Sequence, residues 1–302
     1  MKMSVNFAGV ELKNPIATAS GTCGFGLEYL PYYKASEIGA ITLKALSIRP
    51  KAGNAVVRIA ETPAGMLNSI GLQNPGVDSF LENKMEFVKG LGTKIIANIA
   101  GESMEDYEAV AEKLNVDGID LIELNISCPN VSDGGLAFGT NPKTVEEITS
   151  RVKKKTQKPL IVKLSPNVTD VTEIARAAQS GGADALSLIN TLMGMRIDAH
   201  TRRPVLSRGS GGLSGPAVKP VALHMVSAVH RAVNLPILGM GGIMTGRDAA
   251  EFLIAGATAV AIGTAAFADP KAPVRILHEL EEFLESEGVE DVNELIGTLT
   301  FN

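Results

Sequence analysis

Tryptophan is absent from this chain of 302 residues, histidine occurs four times and cysteine twice. Cys23 and Cys128 stand far apart, and neither has a CxxC or HxxxH companion. This chain alone therefore cannot assemble a zinc site or an iron–sulfur cluster. Cationic excess is also missing. The 28 Lys and Arg against 33 Asp and Glu leave a net charge of −5, which excludes a general basic surface for nucleic acid and requires any anion site to be local. No window reaches the roughly 18 uninterrupted apolar residues of a membrane span, and no cationic segment with an apolar core precedes Val5-Asn6-Phe7. The expectation is a soluble, cytoplasmic protein with no membrane attachment.

What is present is ordinary globular composition, 45% hydrophobic and 20% charged with 31 glycines, enough for a single domain over residues 1–302. The segment 5–12 reads as a hairpin about Ala8-Gly9 that plugs the bottom of a barrel. Eight apolar, β-rich runs follow, at 16–21, 40–45, 94–100, 121–127, 160–165, 185–191, 236–242 and 259–266. Amphipathic stretches at 103–114, 144–155, 171–179, 217–232 and 246–254 alternate with them at helical spacing. Strands too apolar to have a wet face, each followed by a helix, predict an α/β fold, a parallel (β/α)8 TIM barrel with an N-terminal hairpin. A doubly wound open sheet is the competitor, but it rarely runs to eight uninterrupted repeats. Three connections, 46–75, 129–142 and 192–216, are too long for plain turns. As structureless loops following strands they would gather on the C-terminal face, where this fold builds its sites.

The runs end in Ser20-Gly21, Lys44, Asn98, Asn125, Lys163, Asn190-Thr191, Gly241-Gly242 and Gly263-Thr264. Three asparagines and two lysines converging on one barrel face point to a large polar ligand. Lys44 and Lys163 are so closely flanked by apolar residues that each ammonium needs an anionic or carbonyl partner. For each the bland alternative is an internal Lys–Glu pair, for which Glu123 is an available partner. The run Leu124-Asn125-Ile126-Ser127-Cys128-Pro129-Asn130 delivers an asparagine and a thiol where Pro129 stops the strand. A merely packed cysteine is the competing account. His200, His224, His230 and His278 all fall away from strand ends, which leaves Cys128 as the acid–base candidate. Cys23 also follows a strand end, and its place in the same pocket stays open. The glycines of Gly239-Met240-Gly241-Gly242-Ile243, ahead of a helix beginning near Thr245-Gly246, and Gly263-Thr264 suit a phosphate held by backbone N–H groups and a helix N-terminus. No acidic residue lies about 20 residues beyond, where Val260 stands. The ligand therefore reads as a mononucleotide such as FMN rather than a dinucleotide.

These motifs, together with Thr18-Ala19-Ser20-Gly21-Thr22, Thr42-Leu43-Lys44-Ala45, Asn68-Ser69-Ile70-Gly71-Leu72-Gln73-Asn74, Val162-Lys163-Leu164-Ser165-Pro166 and Gly212-Leu213-Ser214-Gly215, resemble the dihydroorotate dehydrogenases along essentially the whole chain. The resemblance implies FMN contacts from Ser20, Lys44, Ala45, Asn98, Asn125, Lys163, Ile189, Gly215, Gly241, Gly242, Gly263 and Thr264. It implies substrate contacts from Lys44, Asn68, Ser69, Ile70, Gly71, Leu72, Asn125, Asn190 and Thr191. It makes Cys128 the base in pyrimidine biosynthesis, where the membrane-associated, quinone-using class has serine and carries an N-terminal extension. The loop 132–140 is similar to that of the NAD-linked type B subunit. A partner subunit carrying FAD and a 2Fe–2S cluster, in a heterotetramer of two plus two, is therefore expected. The segment 129–141 is expected to act as a lid over bound substrate. Competing readings are the fumarate-reducing type A enzyme, a flavin barrel for another pyrimidine, a Schiff-base aldolase using Lys163 and a non-enzymatic flavin scaffold.

Overall fold

β1 (Val5–Phe7) and β2 (Val10–Leu12) form the expected antiparallel hairpin, with Val5 opposite Leu12. Ala8 and Gly9 take φ of 53° and 83°, the mirror-image turn that matches the twist of flanking strands. Phe7 and Leu12 are completely buried, which seals the hairpin onto the core just before the first barrel strand. The computed structural model describes residues 1–127 and 138–301.

β3 (Ile16–Thr18) and β4 (Ala40–Thr42) are followed by β5 (Ile59–Thr62), β6 (Gly65–Asn68) and the helices α1 (Val77–Asn83) and α2 (Met85–Lys89). Regular alternation then sets in with β7 (Lys94–Ile99), α3 (Met104–Lys113), β8 (Leu121–Asn125), α4 (Pro142–Lys153), β9 (Leu160–Lys163), α5 (Val171–Ser180) and β10 (Ala185–Leu188). Four short strands, β11 (Leu192–Gly194), β12 (Ile197–Asp198), β13 (Arg203–Pro204) and β14 (Gly211–Ser214), precede α6 (Lys219–Ala232). β15 (Ile237–Met240), α7 (Gly246–Ile254), β16 (Ala259–Ile262), α8 (Ala265–Ala268) and α9 (Ala272–Ser286) follow.

The strands β3, β4, β7, β8, β9, β10, β15 and β16 close a parallel barrel, with β16 pairing back onto β3. The fold is thus a (β/α)8 barrel. Its strands are buried on both faces, between the barrel interior and the helical layer, and this is why they read as continuous apolar runs. The helices start where side chains can satisfy free amides. Ser103 accepts from the Asp106 amide at 3.2 Å, Asn141 accepts from Lys143 and Thr144 ahead of Pro142, and Asp170 accepts from Thr172.

Three expectations need correction. The strands stop one to four residues earlier than the apolar runs, because beyond the last ladder pair the backbone bonds to loops or singly to neighbouring strand ends. Lys44 N donates to Gly24 O at 2.8 Å, and Ala265, expected in a strand, already opens α8. No α-helix follows β3; two single 3-10 turns, Leu27–Tyr29 and Ala35–Glu37, stand there. Gly21, Gly24 and Gly26 all take positive φ, which no right-handed helix accommodates. Nor are the connections 46–75 and 192–216 structureless. β5 pairs with β6, β6 with β14 and β14 with β11, giving a four-stranded antiparallel sheet over a small core of Ala60, Leu67 and Leu206. The connection 129–142 and its lid role lie largely outside the described residues. Phe138, at its far end, packs edge-on against Tyr107 with ring centroids 5.9 Å apart.

Candidate active site

A cavity of about 640 Å³ opens beyond the C-terminal ends of the barrel strands and beneath the added sheet. From the strand ends it is lined by Ser20, Lys44, Ala45, Asn125, Lys163, Ile189, Asn190 and Thr191. From the loop after β6 come Asn68, Ser69, Ile70, Gly71 and Leu72, and from the glycine turns Gly215, Gly241, Gly242, Gly263 and Thr264. Of the expected contacts within the described residues, Asn98 alone is not in this lining. It is fully buried one layer lower, with Nδ2 donating to Oε2 of Glu123. Cys128 lies outside the described residues.

Lys163 is only 5% exposed, and its ammonium lies 3.7 Å from Oε2 of the completely buried Glu123. The internal pair and the cavity position are therefore both realised. Ser187 donates to the other Glu123 oxygen at 2.7 Å. Above this layer, Asn125 Oδ1 accepts from Asn190 Nδ2 at 3.3 Å, and Asn190 Oδ1 accepts from the Thr191 amide at 2.8 Å. Ser20 donates to Leu43 O at 2.8 Å, tying the β3 and β4 ends together.

The loop 68–72 carries backbone strain and is braced by side chains. Leu72 has φ of 54°, costly for a non-glycine residue at about 1–3 kcal/mol, and Asn74 Nδ2 donates to its carbonyl at 2.7 Å. Asn54 donates to both the carbonyl and the hydroxyl of Ser69, at 3.0 and 3.1 Å. Asn167 braces the opposite rim, donating to Thr191 O at 3.0 Å and accepting from Met193 N at 2.9 Å. Asn54, Asn167 and Glu123 escaped the sequence reading as site residues. Only Glu123 carried a signal, a charge inside an apolar strand. The two asparagines act on backbone from distant segments and leave no pattern.

The glycine turns meet in space. A Cβ on Gly242, where φ is 74°, would come within 2.8 Å of Gly215 O and 2.9 Å of Lys219 N. A Cβ on Gly215, where φ is 100°, would come within 2.6 Å of Gly65 Cα and 3.5 Å of Thr264 Cγ2. Thr264 Oγ1 donates to Ser214 Oγ at 2.8 Å. The start of α7 is not available as expected. Asp248 accepts from the Met244 and Thr245 amides at 2.9 Å each, and Glu279 accepts from the Gly246 amide at 2.7 Å.

Cys23 is 2% exposed, packs in the main core and is not in the cavity lining. Burial pushes its thiol up to about 11, despite hydrogen bonding to Thr18. The four histidines are all exposed, and none lines the cavity. No helix among the described residues is long and apolar enough to cross a membrane.

Fold and cavity together define a (β/α)8-barrel enzyme with its site at the C-terminal mouth. The model of the family described as Dihydroorotate dehydrogenase matches residues 2–284, and the chain belongs to that family. It is 56% identical over 297 residues to a protein of Alkaliphilus oremlandii (strain OhILAs) named dihydroorotate dehydrogenase B (NAD(+)), catalytic subunit, covering 98% of each chain. Proteins of the same name from Geobacter sp. (strain M21) and Thermoanaerobacter sp. (strain X514) are 56% and 52% identical. They are covered, with this chain, to 98% and 99%.

Proposed function

We propose that this chain is the FMN-bearing catalytic subunit that oxidises dihydroorotate to orotate in pyrimidine biosynthesis. Its electrons would pass to NAD through a partner subunit carrying FAD and a 2Fe–2S cluster, in an assembly of two chains of each kind. The observation that carries the reading is the convergence of Lys44, Lys163, the cavity-lining asparagines and three glycine turns on one cavity. The type B names of relatives above 50% identity favour the NAD-linked form over the fumarate-linked one.

The residues present fit FMN. The turns at Gly215, Gly241-Gly242 and Gly263 form a cradle that side chains would fill, with backbone amides as the phosphate donors. Asn98 Oδ1, one layer below the lining, is a buried acceptor without a partner among the described residues. When bound, FMN supplies an acceptor for the two electrons that leave the substrate with a hydride. Lys163 then offers fixed positive charge to the electron-rich edge of the cofactor site, an oxyanion-hole type of assistance. Lys44 suits the substrate carboxylate, Asn68 and Asn190 suit the ring amides, each with a donor and an acceptor to offer, and Asn125 suits a ring carbonyl through its NH₂. Cys128 is the base that takes the proton from substrate C5. An ordinary thiol, at about 8.5, ionises close enough to neutral pH for that work.

An anaerobic absorbance spectrum of the purified chain, with and without dihydroorotate, tests the reading. Yellow protein that bleaches on addition is expected. Bound flavin that stays oxidised in excess dihydroorotate would overturn it, and efficient turnover with fumarate would move the chain to type A.

A further inference from the structure

Beneath the cavity floor the barrel holds a carboxylate that the expected site residues do not include. Glu123 lies on the same face of β8 as Asn125, one layer deeper, and is completely inaccessible. Three other strands satisfy it. Asn98 of β7 donates to Oε2, Ser187 of β10 donates to Oε1 at 2.7 Å, and the Lys163 ammonium of β9 lies 3.7 Å from Oε2. Asn98 and Ser187 are as buried as Glu123, while Lys163 also lines the cavity.

Packing does not explain this cluster. Barrel layers are ordinarily filled by branched apolar side chains, and a buried ion pair is often no more stabilising than a hydrophobe of similar volume. The carboxylate does two things a hydrophobe cannot. As an acceptor only, it turns the Asn98 amide so that nitrogen faces Glu123 and Oδ1 is left unpaired among the described residues. As a fixed negative charge in a poorly polarisable interior, it offsets part of the field of Lys163.

We infer that Glu123 is a positioning residue that holds the Lys163 ammonium at the cavity floor and moderates the positive field felt by a flavin seated above it. The inference rests on the FMN reading and adds to it a determinant of how strongly the site prefers reduced over oxidised cofactor. Charge bookkeeping makes the claim directional. The wild-type pair is neutral, Glu123→Gln leaves one positive charge, Lys163→Gln leaves one negative charge, and the double variant is neutral again.

The test is the midpoint potential of bound FMN in the wild-type chain and these three variants. Gln at 123 keeps the shape of Glu, can accept from Asn98 and can donate to Ser187, so the barrel should survive; the double variant carries no unpaired charge at all. E123Q is expected to favour reduced flavin by about tenfold more than wild type, a rise of about 30 mV for a two-electron couple. K163Q is expected to shift the preference in the opposite direction, with E123Q/K163Q and the charge-conserving Glu123→Asp within about threefold of wild type. E123Q within threefold of wild type, or both single variants shifted in the same direction as a general loosening would produce, overturns the inference. A chain that binds no FMN fails earlier and takes the functional reading with it, so the two failures are distinguishable.

Discussion

Asn190 donates to Oδ1 of Asn125 at 3.3 Å and so ties together the ends of β10 and β8, strands that are not neighbours in the barrel. Oδ1 of Asn125 also accepts from the Ser127 amide at 3.3 Å, and Oδ1 of Asn190 from Thr191. Asn125 Oδ1 thus has both lone pairs engaged within the protein and its NH₂ is what remains for a ligand carbonyl, while Asn190 keeps one N–H and one lone pair. Asn190→Leu, similar in size but unable to donate, frees the Asn125 side chain to turn. A fall in kcat/KM for dihydroorotate of roughly 10–100-fold is expected, corresponding to about 1–3 kcal/mol for a disrupted buried polar contact. Steady-state oxidation with an artificial dye measures it, and unchanged kinetics would remove the pair from substrate binding.

Cys128→Ala should give folded, yellow protein whose flavin is reduced by dihydroorotate about 10²–10⁴ times more slowly, the usual contribution of a positioned base. Cys128→Ser should also be slow, since an unassisted hydroxyl is a poorer base. Stopped-flow absorbance at neutral pH decides the matter. A near-normal rate for the alanine variant would take Cys128 out of the chemistry.

Gly242→Ala places a methyl 2.8 Å from Gly215 O and 2.9 Å from Lys219 N, on a backbone of φ 74° that alanine dislikes. The cradle must open to admit it. FMN affinity of the reconstituted apoprotein should drop at least tenfold with far-UV circular dichroism preserved, whereas Gly209→Ala serves as a control, because its added methyl meets nothing within 4 Å.

The chain alone should oxidise dihydroorotate with a dye yet reduce NAD barely at all. It has no dinucleotide fingerprint, and two cysteines cannot hold a cluster. Adding the FAD and iron–sulfur partner should restore NADH formation, read at its absorbance band. Strong NAD reduction without the partner would contradict the proposed electron path.

Burial raises the Cys23 thiol to about 11, while in the unfolded chain it ionises near the ordinary value of about 8.5. Below that range both states keep the proton and this residue's contribution is intact. As pH climbs towards 11 the unfolded state releases its proton first, and stability is lost. Urea unfolding between pH 8 and 11 should therefore decline less steeply in Cys23→Ala, by up to about 3 kcal/mol across the window. Tyr29, raised to about 12 mainly by burial, adds an alkaline loss common to both proteins.

All eight barrel strands are legible in the sequence because being buried on both faces forces apolar runs, and the polar residues that end them mark the mouth directly. Their C-terminal limits are not legible. Residues such as Lys44 and Ile189 continue beyond the last ladder pair in non-helical backbone while bonding to loops or to strand ends. The segment after β3 was expected to be helical from the repeat alone, and its positive-φ glycines overrule the repeat. The extra sheet left no alternation to read, since β14 begins with two glycines and its partner β6 is mostly half-buried. Cys23 could be assigned to the core only once its burial was known, and Asn54 and Asn167 act on backbone that sequence spacing does not bring near them.

The hydrogen bond from Asn68 to Gly212 O joins residues 144 positions apart, and it has a consequence in time as well as in space. A ribosome adding roughly 5–20 residues per second delivers the second of these partners on the order of ten to thirty seconds after the first. Until then β6 has a bare edge, Lys44 and the 68–72 loop have no roof, and the barrel lacks the strand that closes it onto β3. The nascent chain is therefore blind to its ligands for most of its synthesis. Neither cofactor nor substrate can template the folding of the chain before Gly212 has emerged.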